Sequence, residues 1–207
     1  MGHLCVLDIQ HGLAPGKPDS KGAKAPTGQW ERDLTRHYAI TAATELLAAG
    51  WDVEVWPHRP TTYAERHAEV LRLAGARLGR TVYVACHFDS APWSYGAAYY
   101  DGRSKRGHEL AEHLADALGQ LPELSSGRAV PSWRAARPGE PTTDDGLHWT
   151  SRTQACIAGA WSPADAVEAV TLEPACLGQA RHQPLWSTLE GLGRLGVALA
   201  KGIRAGG

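Results

Sequence analysis

Short apolar segments that alternate with amphipathic helical segments are the feature that most restricts the fold of this chain. Apolar runs at Leu4–Ile9 and Thr81–Cys86 have the length and composition of buried strands, and 51–56 alternates apolar with acidic residues. Between the first two strands, apolar residues recur every four positions over 31–50, which predicts a helix. A strand reached through a helical crossover pairs in parallel. The sequence therefore predicts an α/β fold in which the third strand lies parallel to the first or second.

The rest of the chain continues this alternation. Apolar periodicity predicts strands at 97–100 and 167–172 and helices at 61–78, 104–118 and 189–203. Prolines and glycines crowd 120–161, which we interpret as a loop with short strands; its irregular part, 128–161, could be a substrate-groove insertion. Since no repeat or linker divides the chain, we predict that residues 1–207 form one three-layer α/β domain, with a mostly parallel central sheet flanked by helices.

The charge balance and hydropathy of the chain argue against two classes of partner. Its 207 residues include 21 Lys and Arg against 22 Asp and Glu, so a net charge of -1 gives no strong positive field to hold nucleic acid. No window approaches the ~20 consecutive apolar residues that a membrane-spanning helix requires. We therefore expect a monomer that neither binds nucleic acid nor inserts into a membrane.

Two features favour synthesis in the cytoplasm. The first residues lack the basic start, apolar stretch and cleavage site of a secretory signal peptide. The spacing of the cysteines matches neither a zinc ribbon nor a disulfide framework, so we expect reduced thiols at Cys5, Cys86, Cys156 and Cys176. Cys5 and Cys86 lie in apolar runs and are interpreted as small buried residues rather than catalysts.

Candidate metal ligands occur near the ends of the predicted strands. His11 follows the first strand, Glu31 begins the first helix and His87 follows the third strand. The carboxyl ends of parallel strands meet at one edge of a sheet, where two imidazoles and a carboxylate could bind zinc and leave one position for water. Glu173 ends the last core strand and could transfer protons there. A strand-end histidine is more often a hydrogen-bonded structural residue, so the residues alone leave both interpretations open.

The sequence around these residues matches several motifs of a known family, in the same order. The first strand ends in Asp8-Ile9-Gln10-His11-Gly12, the first helix is opened by Gly28-Gln29-Trp30-Glu31, and the third strand ends in Ala85-Cys86-His87-Phe88-Asp89. These segments resemble those of the zinc-dependent N-acetylmuramoyl-L-alanine amidases, cell-wall enzymes of bacteria and their phages. The corresponding family patterns are Asp-x-Gly-His-Gly, a Glu after a Gly-rich loop, and Ser-x-His-x-Asn.

The resemblance extends along most of the chain. Further segments that match are Pro57-His58-Arg59, Tyr63-Ala64-Glu65-Arg66, Gly96-Ala97-Ala98-Tyr99-Tyr100, Leu110-Ala111, Leu172-Glu173 and Lys201-Gly202-Ile203. The departures from the family patterns are Gln10, Ala85, Asp89 and the turn 175–177, and the stretch from Arg128 to Trp161 does not align. These departures concern the substrate more than the metal ligands.

The resemblance implies a fold, a cofactor and a reaction. It implies Zn2+ held by His11, Glu31 and His87 at the carboxyl edge of the sheet, with Glu173 as the catalytic glutamate. The expected partner is peptidoglycan, both glycan strand and stem peptide, cut at the amide between muramic acid and L-alanine. A wall hydrolase made without a signal peptide is typical of phage endolysins, so we expect a phage or prophage lysin that reaches the wall through a separate membrane hole.

Two alternatives remain at this stage. The chain could be a non-catalytic peptidoglycan-binding module of the same fold, or a zinc peptidase that cuts within the stem peptide. Intact Glu173 argues against the first, and only the reaction products distinguish the second.

Other chemistry-bearing residues have structural interpretations. Trp51 and Trp56 are predicted to pack on a face of the sheet, and Arg66 to support a strand-end group through charge-assisted hydrogen bonds. The helical histidines are predicted to be solvated: His37, His67, His108 and His113. Five residues of the unaligned stretch could line a glycan or peptide groove, although exposed loop residues are the simpler interpretation: Trp133, Arg134, Arg137, His148 and Trp149.

Overall fold

The protein is described from a computed structural model. The structure describes residues 2–11, 21–57, 62–131, 133–135, 147–149 and 166–206. Gly12, His58, Arg59, Arg137 and Cys156, which entered the sequence predictions, lie outside these ranges, as do the side chains of 133–135 and 147–149.

Helices and strands alternate along the described chain, largely as the sequence predicts. The strands are β1 (Leu4–Ile9), β2 (Asp52–Trp56), β3 (Thr81–Cys86), β4 (Gly96–Tyr100), β5 (Gly127–Pro131), β6 (Trp133–Ala135), β7 (Leu147–Trp149) and β8 (Glu168–Glu173). The helices are α1 (Glu31–Ala48), α2 (Tyr63–Gly75), α3 (Lys105–Leu118), the short α4 (Gln183–Trp186) and α5 (Leu189–Ala205), with a 3₁₀ turn at Ala180–His182. No helix in the described ranges is long and apolar enough to cross a membrane.

Six strands form one twisted sheet in the order β2-β1-β3-β8-β4-β5. Strands β2, β1, β3 and β8 are parallel, whereas β4 runs antiparallel to β8, and β5 pairs in parallel with β4. The prediction that the third strand pairs in parallel with one of the first two is confirmed. Strand β2 lies at one edge of the sheet, as its alternating sequence indicates.

Helices cover both faces of the sheet, which gives the predicted three layers. One face packs against α1, α3 and α5 through residues such as Tyr38, Leu114 and Leu195. The opposite face packs against α2 through Val70 and Ala74. Because both faces are covered, β1 and β3 are buried along their whole length, as is typical of parallel strands. The described residues form a single α/β domain.

The buried thiols and tryptophans follow the predictions with one refinement. Cys5, Cys86 and Cys176 are free and buried, and burial raises the pKa of the Cys86 thiol. Trp51 and Trp56 are both in the core, but they pack on opposite faces of the sheet. Their odd separation along an extended segment turns the two side chains to opposite sides.

One prediction from the sequence is wrong. His67 was expected in solvent, yet its side chain is 4% exposed and packs edge-on against the Tyr83 ring. It lies on the face of α2 that contacts the sheet, beside Arg66. The stretch interpreted as a loop with short strands does contain one, β5, which joins the main sheet. A Cβ at Gly127 would lie 1.8 Å from the Ala115 carbonyl oxygen, so only glycine allows β5 to approach α3 this closely.

Candidate metal centre

The ends of three parallel strands converge at one edge of the sheet, and the predicted site residues lie there. His11 lies just beyond β1, His87 directly follows β3, and Glu173 is the last residue of β8. Helix α1 begins at Glu31 and packs on the sheet next to β1. The fold therefore brings together residues that are far apart in the sequence.

The three predicted metal ligands form a compact cluster. His11 Nε2 lies 2.6 Å from Glu31 Oε1, and His87 Nδ1 lies 2.9 Å from His11 Nε2 and 3.3 Å from Glu31 Oε1. All three donor atoms lie within 4.8 Å of one another, which is close enough to bind one ion. Two imidazole nitrogens and one carboxylate are a donor set that suits zinc.

Backbone groups hold the Glu31 carboxylate in this cluster. The amide of Ala23 donates to Oε2 at 2.9 Å, and the amide of Phe88 donates to Oε1 at 2.9 Å. Burial by itself would raise the pKa of Glu31, but its hydrogen bonds with His11 and His87 outweigh that effect and hold it well below its usual range. The carboxylate is therefore ionised and fixed in position, as a metal ligand must be.

Gly22 allows the chain to pass close to this carboxylate. Its φ is +76°, and a Cβ built there would lie 2.6 Å from Glu31 Oε2 and 2.8 Å from the His11 ring. A side chain at position 22 would therefore strain the backbone and displace two of the clustered residues. No motif in the sequence marks this glycine as part of the site.

His87 is fixed through both its backbone and its ring. Its backbone N–H donates to the Leu172 carbonyl at 2.9 Å, and its carbonyl accepts from the Tyr38 hydroxyl at 3.0 Å. On the ring, Nδ1 faces the ligand cluster while Nε2 lies 3.2 Å from Gln10 Oε1. His87 is 8% exposed, so little water reaches its ring to compete for these contacts.

A buried ion pair lies behind Gln10. Arg66 Nη1 donates to both oxygens of Asp8, at 3.0 and 3.1 Å, and the Tyr83 hydroxyl donates to Asp8 Oδ2 at 2.7 Å. The predicted supporting role of Arg66 is thereby confirmed, with Asp8 as the group it supports. Asp8 and Tyr83 were missed as members of the site. The sequence does contain one indication of this pair, since Asp8 is a charged residue among the apolar residues of β1. Buried charges are almost always paired, so a partner could be expected.

Glu173 lies at the same edge, next to the three-residue cluster but outside it. The Tyr99 hydroxyl and the carboxyl group of Asp89 both lie close to its carboxylate. Burial, together with the nearby carboxylates of Asp89 and Glu31, raises the pKa of Glu173 to about 8. This carboxyl group can therefore bind and release a proton near neutral pH, which a general acid–base residue must do.

Aromatic side chains lie beside Glu173 at the start of β4. Trp93 is 48% exposed and stacks on Tyr95, with ring centroids 5.9 Å apart. The Arg128 guanidinium lies 4.0 Å from the centre of the Tyr95 ring. Ala97 pairs with Glu173 across the two strands, so this aromatic surface borders the site.

Solved amidase structures have this fold along nearly the whole chain. AmiC2, an N-acetylmuramoyl-L-alanine amidase of Nostoc punctiforme, superposes with a TM-score of 0.68 at 17% identity, over 98% of this chain and 95% of that one. The amidase Ami1 of Mycobacterium smegmatis gives 0.67 at 16% identity, over 99% and 96%. The catalytic domain of the amidase CwlV of Bacillus (Paenibacillus) polymyxa var. colistinus gives 0.62 at 17% identity, over 99% and 97%.

These comparisons define the class of fold. The chain has the fold of the N-acetylmuramoyl-L-alanine amidases, which confirms the fold implied by its motifs. The sequence matches no protein-family model, and no curated protein is significantly similar to it in sequence. The likeness therefore lies in the three-dimensional structure.

Proposed function

We propose that this protein is a zinc-dependent N-acetylmuramoyl-L-alanine amidase that cuts the amide between muramic acid and the L-alanine of the peptidoglycan stem peptide. The observation that carries this proposal is the cluster of His11, Glu31 and His87 donor atoms beside Glu173, at the carboxyl edge of a fold shared with solved amidases. Ligands and substrates collect at this edge in parallel α/β sheets.

The metal would be held by His11 Nε2, His87 Nδ1 and a carboxylate oxygen of Glu31. The close grouping of these donor atoms and the fixed, ionised carboxylate suit a three-residue zinc site of the hydrolytic type. Zinc bound there supplies a Lewis acid that polarises the amide carbonyl and promotes ionisation of water.

Glu173 is the residue proposed to move protons. It accepts one from the attacking water, whose oxygen bonds to the carbonyl carbon, and then gives one to the amide nitrogen. The C–N bond breaks as that nitrogen is protonated, so L-alanine leaves as an amine and the lactyl group keeps a carboxylate. The Tyr99 hydroxyl lies close enough to the Glu173 carboxylate to orient it for this transfer.

The aromatic surface next to Glu173 supports a large, partly apolar substrate. Trp93 offers an exposed ring face, and Arg128 adds positive charge beside Tyr95. A sugar ring can stack on such a face, while carboxylates of a stem peptide can pair with a guanidinium. Peptidoglycan carries both groups.

Mass spectrometry of fragments released from purified peptidoglycan by the zinc-loaded protein tests the proposal. We expect intact stem peptides with a free N-terminal L-alanine and glycan strands without peptide. Shortened stem peptides would instead identify a peptidase. Binding to peptidoglycan without any released product, from folded and zinc-bound protein, would identify a non-catalytic module.

Single-ligand variants test the metal assignment separately. His11→Ala and His87→Ala should both reduce the zinc content and abolish turnover, because each removes one of three protein ligands. Metal analysis of the folded fraction makes this measurement. Full zinc stoichiometry in either variant would show that the histidine has a structural role instead.

The biological setting is also a proposal, and it rests on the resemblance alone. We propose a monomeric phage or prophage lysin that needs a separate membrane hole to reach the wall. Expression inside bacteria with and without a hole-forming protein tests this, with lysis expected only when both are present. Lysis without the hole-forming protein would contradict the proposed route, and sedimentation of the purified protein measures its oligomeric state.

A further inference from the structure

The side chain of Gln10 links the buried Asp8–Arg66 ion pair to the ring of His87. We propose that Gln10 is a positioning residue that fixes the tautomer and orientation of His87, so that the lone pair of Nδ1 faces the metal position. This inference rests on the proposed metal site. Position 10 is one of the departures from the motif of the amidases, so the contact is a property of this chain.

The ion pair determines which way the Gln10 amide faces. The Asp8 carboxylate can only accept hydrogen bonds, and it already accepts from Arg66 and from the Tyr83 hydroxyl. The Gln10 group that lies 2.9 Å from Asp8 Oδ2 must therefore be the NH2 group, Nε2.

The contact with Tyr83 agrees with this orientation. The Tyr83 hydroxyl donates its proton to Asp8, and its oxygen accepts a hydrogen bond from Gln10 Nε2 at 2.8 Å. Two acceptors on the same side thus hold the NH2 group, and the carbonyl oxygen Oε1 faces the opposite way, toward His87.

The amide orientation then determines the proton on His87. Oε1 is an acceptor only, and it lies 3.2 Å from His87 Nε2, so this nitrogen must carry the hydrogen. A neutral imidazole has one N–H, which leaves Nδ1 with a lone pair. Nδ1 is the atom that lies 2.9 Å from His11 Nε2 and 3.3 Å from Glu31 Oε1. Metal-bound histidines are commonly oriented in this way through their other nitrogen.

Burial makes this chain of hydrogen bonds effective. Exposed fractions are 1% for Asp8, 6% for Gln10, 0% for Tyr83 and 8% for His87. Water cannot readily replace Oε1 as the acceptor for Nε2–H, so loss of Oε1 removes the hydrogen bond that favours this tautomer. The other tautomer places the hydrogen on Nδ1 and weakens that atom as a ligand.

Nitrogen NMR of the metal-free protein reads the tautomer directly. Long-range proton–nitrogen spectra of histidine-labelled protein show one set of signals for each of the ten histidines. The set that is missing from the spectrum of His87→Gln belongs to His87. We expect a protonated Nε2 and an unprotonated Nδ1 in the wild type. A protonated Nδ1 in the wild type would overturn the proposal, whatever any variant does.

Gln10→Met tests the effect on metal binding, because it keeps the length of the side chain and removes the acceptor. We expect mixed tautomers at His87 and zinc bound about 10- to 100-fold more weakly in chelator competition. Tyr83→Phe keeps Oε1 and should have a smaller effect. Gln120→Met, at an exposed site, is the matched control and should match the wild type.

The outcomes separate this inference from the proposed function. A Gln10→Met protein with unchanged tautomer and zinc affinity would refute the positioning role while leaving the metal site intact. A wild-type protein with the expected tautomer that binds no zinc would refute the proposed function, and the positioning of His87 would stand as a structural fact.

Discussion

Strand β8 begins with Glu168 and ends with Glu173, and the two glutamates lie in opposite electrostatic environments. Glu168, at the amino edge of the sheet, accepts two hydrogen bonds of 2.7 Å from Arg80 Nε. Glu173, at the carboxyl edge, faces the carboxyl group of Asp89, and burial raises its pKa to about 8. The same residue type on one strand thus forms an ion pair at one end and occupies the proposed proton-transfer position at the other.

The surroundings of Glu168 show that its role is structural. Arg80 also donates to the Ile203 carbonyl and lies over the Trp51 ring, so this ion pair joins β8 to α5 and to the start of β2. The second buried Arg–carboxylate pair, Arg66 with Asp8, instead leads through Gln10 to His87. The Arg80 pair contacts only structural parts of the fold and therefore contributes to stability. The Arg66 pair also contacts Gln10 and can therefore stabilise the arrangement of the site.

The largest expected difference is in catalysis. Glu173→Gln should lower amidase turnover about 10²- to 10⁴-fold, the usual contribution of a general acid–base residue, while keeping zinc. Glu168→Gln is the matched control on the same strand and should leave turnover unchanged. Rates of peptide release from peptidoglycan, with metal analysis of both proteins, make the comparison. Equal rates for the two variants would remove the functional distinction between the ends of β8.

The second prediction compares the two ion pairs. Asp8→Asn should lower the free energy of unfolding by about 3–5 kcal/mol, because Arg66 is left buried without its charge partner. It should also weaken zinc binding, since Gln10 loses the carboxylate that orients it. Glu168→Gln should also destabilise the protein, because the Arg80 side chain is itself only 9% exposed, but it should leave zinc affinity unchanged. Denaturant titration measures the stability of each variant, and chelator competition measures its zinc affinity. Weaker zinc binding by Glu168→Gln would contradict the different roles of the two ion pairs.

The third prediction concerns pH. The pKa of Glu173 is higher in the folded protein than its ordinary value of 4.5, so folding favours the protonated form, and this contribution is lost as the pH rises from about 4.5 to about 8. In that window the metal-free wild type should lose stability relative to Glu173→Gln, by at most about 1.4 kcal/mol per pH unit. Denaturant titrations of both proteins at several pH values across the window test the sign of this change. A difference in stability between the two proteins that stays constant with pH would refute the raised pKa of Glu173.

The smallest effect is expected at a glycine of the carboxyl edge. Gly22→Ala and Gly50→Ala both place a side chain at positive φ, at about 1–2 kcal/mol each. Only at Gly22 does the new Cβ meet Glu31 and His11, since a Cβ at Gly50 meets nothing within 4 Å. We therefore expect both variants to be mildly destabilised and only Gly22→Ala to bind zinc more weakly. Equal zinc affinity in the two variants would show that the loop at Gly22 can adjust.

The sequence predicts those parts of the fold and site that depend on local signals. Strands β1 and β3 are found with their bounds because apolar β-branched runs are read directly from neighbouring residues. His11 and His87 could be placed at one edge because the carboxyl ends of parallel strands share it, and the resemblance to the amidase motifs added Glu31 and the proposed role of all three as ligands. Strand β5 could not be located from the sequence, because its Gly, Arg and Pro residues give little β propensity. Its pairing with β4 stabilises the strand instead.

The polar contacts behind the metal cluster depend on distant parts of the chain. Arg66 and Asp8 are 58 residues apart, and Gln10 and Tyr83 are 73 residues apart. No local pattern in the sequence specifies such pairs. His67 was misplaced for a similar reason, because its charged neighbours concealed that its own position faces the sheet.

The antiparallel direction of β4 has a consequence for how the site can vary among related sequences. Because β4 starts beside the end of β8, the segment 87–95 leaves β3 and enters β4 without crossing the sheet. It carries a proposed ligand at one end and the aromatic rings at the other. Insertions or deletions within 91–95, beyond the buried Phe88 and the backbone contacts of Asp89, would alter the shape of the proposed substrate surface while leaving strand order and core packing unchanged. New substrate preferences can therefore arise in this segment without a cost to the rest of the fold.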